Sequence, residues 1–228
     1  MNSDNINRYL DHAVLKPELT RDEAREAIQL GIDFAVRTVC VRPCDIELAA
    51  EMCRGTETEV SCVLAFPHGC TTSDVKTAEA KHYVKAGTNE IDMVVNYGFV
   101  RSGMWDEVVA DIRAVTGVAG PAGIPVKVIM ETAFLSLDQI KRTTECAISA
   151  HADFVKTSTG FASEGATEEG VRAMLDAGRG RIGVKASGGI RDRRTAEFYI
   201  GLGVTRIGNG YTSTRAICEG EGSGSGAY

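Results

Sequence analysis

The chain lacks most of the signals that would place it outside the ordinary soluble enzymes. It has no basic amino-terminal region followed by an apolar core, so no signal peptide is expected. No apolar run approaches the roughly 20 residues that span a bilayer, so no membrane partner is expected either. The seven cysteines are odd in number and include no C-x-x-C pair. That pattern argues against a disulfide framework and for buried thiols in a reducing, cytoplasmic protein. The four histidines show no metal-ligand spacing, and no G-x-G-x-x-G follows the first strand-like segment. Neither a metal nor a dinucleotide cofactor is therefore expected. A net charge of −6 offers no basic face for nucleic acid. It leaves a small anionic substrate open, because a local lysine cluster decides that.

What is present is a strict alternation. Segments rich in Val, Ile and Leu begin near residues 9, 34, 60, 90, 126, 153, 184 and 205, with a helix-like stretch after each. Thr20 with Glu23 forms a capping box ahead of the first helix, which the pattern ends at Gly31. Repeated βα units demand a parallel sheet with crossover helices. Eight of them predict a single-domain (β/α)8 TIM barrel over residues 1–218, with an open doubly wound sheet as the alternative. Residues 219–228 (EGEGSGSGAY) read as a flexible Gly/Ser-rich tail. Its tip, Tyr228, is either part of a disordered end or able to fold over the barrel mouth. A homodimer is compatible with the sequence, which does not separate an exposed apolar stripe from core.

The chemistry concentrates in Asp153-Phe-Val-Lys-Thr-Ser-Thr-Gly-Phe161 and in Val184-Lys-Ala-Ser-Gly-Gly-Ile-Arg191. Each is an apolar strand carrying one lysine, followed by a turn of small residues. In a barrel the C-terminal strand ends line the active face. Lys156 and Lys185 would sit there on neighbouring strands, roughly 5 Å apart. Two close ammonium groups in a poorly solvated place favour loss of one proton. A free lysine amine adds to carbonyls, and the resulting iminium is an electron sink that permits aldol chemistry. Asp92, in the middle of the fourth strand, is either the proton carrier or a structural partner for Lys127. Gly160, Gly188 and Gly189 permit close backbone approach to an oxyanion, Ser187 adds a hydroxyl, and the turn that begins at Thr157 offers further hydroxyls. Cys40 reads as core or pocket wall.

These motifs resemble the deoxyribose-phosphate aldolase family. The similarity runs through LDHAVLKP (10–17), TVCVRP (38–43), FPHG (66–69), NEIDMVVN (89–96), VKVIMET (126–132), DFVKTSTGF (153–161) and VKASGGIR (184–191). The resemblance implies a metal-independent class I aldolase on a (β/α)8 barrel. The implied reaction is reversible cleavage of 2-deoxy-D-ribose 5-phosphate to D-glyceraldehyde 3-phosphate and acetaldehyde. Lys156 would form the Schiff base, Lys185 would lower its pKa, and Asp92 would move protons. Asp11 and Lys127 would support the charge network, and Cys40 would line the pocket. Gly160, Gly188 and Gly189 would offer N–H groups to the phosphate.

The run Gly208-Asn-Gly-Tyr-Thr212 departs from that family, which typically carries a Ser-Ser pair there. Gly208 and Gly210 still offer N–H groups and Asn209 an amide. A Schiff-base aldolase taking a less charged aldehyde is therefore the alternative, and a sugar-phosphate-binding barrel without activity is the reading outside enzymes.

Overall fold

The computed structural model describes residues 3–220. Eight parallel strands close into a barrel in sequence order, β8 pairing with β1. They are β1 (Leu10–Val14), β2 (Thr38–Val41), β3 (Glu59–Leu64), β4 (Glu90–Val94), β5 (Val126–Ile129), β6 (Phe154–Lys156), β7 (Gly183–Ser187) and β8 (Arg206–Gly210). The helices are α1 (Arg21–Asp33), α2 (Ile46–Met52), α3 (Ser73–Ala86), α4 (Tyr97–Arg101), α5 (Trp105–Ala119), α6 (Leu137–Ser149), α7 (Glu168–Gly178), α8 (Arg193–Leu202) and α9 (Thr214–Glu219). Closure removes every sheet edge, so the open-sheet alternative falls.

Period-two alternation divides each strand between two environments. Leu10 and Val14 of β1, Val39 and Val41 of β2, Val60 of β3, Ile91 and Met93 of β4, and Val126 and Val128 of β5 join the main apolar cluster with the helices. Their neighbours Ala13, Cys40 and Val63 belong to a second, separate cluster, with Leu15 and Phe66 beside it. The intervening polar residues of the barrel interior are what build the site.

Three local readings change. Gly31 does not end α1, which runs on to Asp33. A Cβ at Gly31 would lie 2.6 Å from Val39 Cγ1 and 3.2 Å from the His12 ring, so the glycine lets the helix lie directly on β1 and β2. The second strand starts at Thr38 rather than Phe34, because Phe34 still caps α1 and Ala35 takes a positive φ of 47°. The short α4 has no counterpart in the sequence reading; Asn96 caps it by accepting from the Phe99 N–H. By contrast, the Thr20–Glu23 capping box forms with both reciprocal bonds. At the other end α9 reaches Glu219, one residue into the stretch assigned to the tail. Residues 221–228, Tyr228 among them, lie outside the described residues.

Candidate active site

The strand register brings the chemistry together. Asp92 stands opposite Lys127, Lys156 opposite Lys185, and Lys185 opposite Arg206. All point inward because each occupies the polar phase of its strand. Asp11 enters from β1, and the three carboxylates of Asp11, Glu90 and Asp92 share four cations.

The three lysines differ in how they are held. Lys127 Nζ lies 2.5 Å from Glu90, 2.7 Å from Asp92 and 3.0 Å from Asp11. Lys185 Nζ has two partners, Asp11 at 2.6 Å and Asp92 at 2.8 Å. Lys156 Nζ has one among the described residues, Asp92 Oδ2 at 3.0 Å. Arg206 forks onto Glu90 at 2.6 Å and reaches Asp11 at 2.7 Å, with its guanidinium 5.3 Å from the centre of the Phe154 ring. The Thr38 hydroxyl donates to Asp11 at 2.9 Å. Every one of these side chains is buried or nearly so.

Burial alone pushes a carboxyl group up, but Lys127, Lys185 and Lys156 together outweigh it and hold Asp92 well below the usual carboxylate range. Asp11 is depressed in the same way by Lys127, Lys185 and Arg206 against the same burial. Lys127 moves the other way: burial lowers it, yet Asp11, Asp92 and Glu90 raise it well above an ordinary lysine. The result for Lys156 differs from the sequence expectation. Burial and the Lys127 charge pull its ammonium down, but Asp92 at 3.0 Å more than offsets them and leaves it raised. The depressed amine expected from a lysine neighbour alone is not present while Asp92 is ionised. Cys40 is buried in the inner apolar cluster, and burial with the Asp92 charge pushes its thiol up, which disfavours the thiolate a nucleophile needs.

The mouth has two unlike halves. Above β1 to β3 the wall is apolar, formed by Leu15, Val63, Ala65 and Phe66, with Phe161 edge-on to Phe66 at 5.2 Å. A cavity of about 330 Å³ lies there. Above β6 to β8 the surface is glycine and hydroxyl. Gly160, Gly188 and Gly189 all have positive φ, and none of their N–H groups donates to a described residue. A Cβ at Gly208 would lie 2.4 Å from Ser187 Oγ and 3.0 Å from Lys185 Cε, so this position has no room for a side chain.

Two groups expected at the mouth are spent elsewhere. Thr157 falls on the outward phase after Lys156; its hydroxyl donates to Ser187 O at 2.9 Å and accepts from Ser187 N at 3.0 Å. It fastens β6 to β7 and offers no free hydroxyl to a ligand. Asn209 also faces outward, donating to Thr214 Oγ1 at 2.8 Å and to Gly210 O at 3.1 Å. Conversely, Glu90 and Arg206 were missed. The signal was present: Glu90 lies two residues before Asp92, and Arg206 two before Gly208, each on the inward phase.

This barrel with inward lysines can be compared with known proteins. The profile of the family described as DeoC/LacD family aldolase matches residues 35–220. The chain belongs to the DeoC/LacD aldolase family. A relative named deoxyribose-phosphate aldolase from Natranaerobius thermophilus is 45% identical over 91% of this chain and 94% of its own length. Another of the same name, from Mannheimia succiniciproducens, is 40% identical over the whole of both chains. A solved structure described as QR15, an aldolase, superposes with a TM-score of 0.89 at 38% identity, covering 95% of each chain. In this family setting the barrel lysines belong to an aldolase, and a non-enzymatic binding barrel is set aside.

Proposed function

We propose that this chain is a class I aldolase that reversibly cleaves 2-deoxy-D-ribose 5-phosphate to D-glyceraldehyde 3-phosphate and acetaldehyde through a Schiff base on Lys156. The observation that carries the assignment is the inequality among the three lysines. Lys127 is held by three carboxylates, Lys185 by two and Lys156 by one. Of the site's buried cations Lys156 has the fewest ion-pair contacts to lose among the described residues, so it is the one whose ammonium is least tied down. Its neutral amine adds to the substrate carbonyl; the carbinolamine then loses water to give the iminium. Retro-aldol cleavage breaks the bond between C2 and C3 as the C3 hydroxyl gives its proton to a base or water at the site, and the electron pair passes to the iminium to leave an enamine. A proton returned to C2 and addition of water then release acetaldehyde and restore the Lys156 amine. Asp92 Oδ2 touches both Lys156 and Lys185 and is placed to pass protons between them. Lys185 is held by Asp11 at 2.6 Å and Asp92 at 2.8 Å and stands opposite Lys156 on the neighbouring strand.

The N–H groups of Gly160, Gly188 and Gly189, which donate to no described residue, support a phosphate on the β6–β8 side, with Ser187 and Gly208 beside them. A second reading, in which the preferred aldehyde is uncharged, is favoured by the side chains at the end of β8: Asn209 faces away, and no serine pair follows Gly208. Seven cysteines, all free, support a reducing cytoplasm as the setting. A homodimer is the assembly we infer, and sedimentation velocity distinguishes it from the tetramer described for a relative from Aeropyrum pernix.

Borohydride reduction with acetaldehyde, and separately with 2-deoxyribose 5-phosphate, tests the assignment. A mass adduct on Lys156 with both, lost in Lys156→Ala, is the expected result. Trapping with acetaldehyde alone would favour the uncharged acceptor. No adduct with either would overturn the Schiff-base mechanism.

A further inference from the structure

Glu131 is a carboxylate that the Schiff-base chemistry does not use, and its surroundings are unusual. It follows β5 in the left-handed region, at φ 54° and ψ 66°, although it is not glycine. An L-residue held there is strained and persists only where the surroundings require it. The residue is 3% exposed. One oxygen accepts from the Thr159 N–H at 3.2 Å, and the other from the Thr159 hydroxyl in a short hydrogen bond. That hydroxyl in turn accepts from the Phe161 N–H at 3.0 Å. Burial raises the Glu131 carboxyl, and the Thr159 bonds and the Lys156 charge act against that rise.

The donors fix the direction of every bond. With its carboxylate accepting twice, Glu131 orients the Thr159 peptide and hydroxyl; Thr159 then orients the Phe161 peptide. Between them lies Gly160, with φ 87° and an N–H that donates to no described residue. The far end of the same loop is fastened too. The Ala166 N–H donates to Gly188 O at 3.1 Å, and Gly165 packs so tightly on Gly188 that a Cβ on Gly165 would lie 2.2 Å from that oxygen. One end of the loop is therefore set by Glu131 and the other by the Gly188 turn. The Glu131 charge is absorbed by Thr159 and not turned toward the mouth.

We infer that Glu131 is a positioning residue for anion recognition: through Thr159 it aims the Gly160 N–H at the substrate phosphate, while making no contact with the reacting carbons. This rests on the proposed phosphate-sugar reading of the site. It assigns Glu131 to the specificity for a phosphorylated over an unphosphorylated sugar, and not to Schiff-base chemistry.

The test is a comparison of 2-deoxyribose 5-phosphate with 2-deoxyribose as substrates for the wild type, Glu131→Gln and Glu131→Ala. Loss of hydrogen bonds to a buried charge is expected to raise KM for the phosphorylated sugar about tenfold in Glu131→Ala. The KM for the unphosphorylated sugar and the rate of acetaldehyde trapping on Lys156 stay within about twofold on the same reasoning. Glu131→Gln keeps an acceptor for the Thr159 N–H and restores most of the phosphate preference. If Glu131→Ala does not fold, Thr159→Val removes the same hydroxyl without creating a cavity, and the same split is expected. Equal losses on both sugars, or no change on either, would overturn the assignment. So would a wild type with the same KM for both sugars. Absence of any Lys156 adduct in the wild type is a different failure, that of the aldolase reading itself.

Discussion

The two faces of the same eight strands obey opposite rules. Outside, Leu10, Val39, Val60, Ile91 and Val126 press against helices in one continuous apolar layer, interrupted by buried polar pairs such as Lys76 with Asp111 at 2.7 Å. Inside, one residue away along each strand, Asp11, Glu90, Asp92, Lys127, Lys185 and Arg206 form a nearly closed ionic lattice. Apolar burial is additive and forgiving, since each side chain contributes roughly 1.5–3 kcal/mol and neighbours partly compensate. An ionic lattice is neither. Removing one member leaves its partners charged, buried and uncompensated, so the cost depends on how many partners are stranded.

Lys127→Met breaks the inner lattice at its most connected point. Three carboxylates lose their shared cation while the volume is nearly kept. A destabilisation of about 3–5 kcal/mol is expected in urea unfolding, larger than for a typical core truncation that is well accommodated. A change below about 1 kcal/mol would mean the lattice is redundant, as the outer layer is.

His12 sharpens the comparison through pH, because it is a polar residue on the outer face. Its ring accepts from Thr214 at 2.7 Å through Nδ1 and donates to Ala27 O at 2.8 Å through Nε2, so the neutral ring carries its proton on Nε2. Burial pushes it down to about 4, against 6.5 unperturbed. The unfolded chain thus binds the proton first. Stability is complete above about pH 6.5 and is lost as the pH falls toward 4, by on the order of 3 kcal/mol. The inner carboxylates are held below their ordinary values, so their contribution is lost only at more acid pH. Between pH 7 and 4.5 urea midpoints carry the His12 slope, with an opposite contribution from Glu131, whose carboxyl burial raises; His12→Gln is expected to remove the fall toward acid pH. An unchanged slope would assign the window to some other group.

Much of this was legible in the sequence, and the limits are physical. Eight alternating segments were enough for the barrel, since a parallel sheet has few ways to bury both faces. Lys156, Lys185, Asp92, Lys127 and Asp11 were visible as charged residues inside apolar strands. Glu90 and Arg206 carry the same signature but sit at strand starts, where a charge also reads as a solvated edge. Gly31 misled because glycine serves both helix ends and close approach, and only the position of Val39 decides between them. Thr157 misled because alternation by one residue turns a ligand into a strand fastener.

On the outer face Ile91→Val removes one methylene from a fully buried site. It is expected to cost only about 0.5–1.5 kcal/mol in the same urea measurement, with aldolase turnover retained. A loss as large as that of Lys127→Met would remove the contrast between the faces.

The smallest effect on stability is expected where the effect on activity is total. Lys156 is the least connected of the site's buried cations, with Asp92 as its one ion-pair partner among the described residues, and Asp92 keeps Lys127 and Lys185 when it is gone. Lys156→Met leaves three cations facing three carboxylates and replaces a buried ammonium with a thioether of similar length. Its urea midpoint is expected to match or exceed that of the wild type, while borohydride trapping with acetaldehyde disappears. A midpoint reduced as far as in Lys127→Met would show that Lys156 is held charged as a member of the lattice, and an amine so held is a poor nucleophile. The pairing of retained stability with lost adduct is what separates a reactive lysine from a structural one on the same barrel wall.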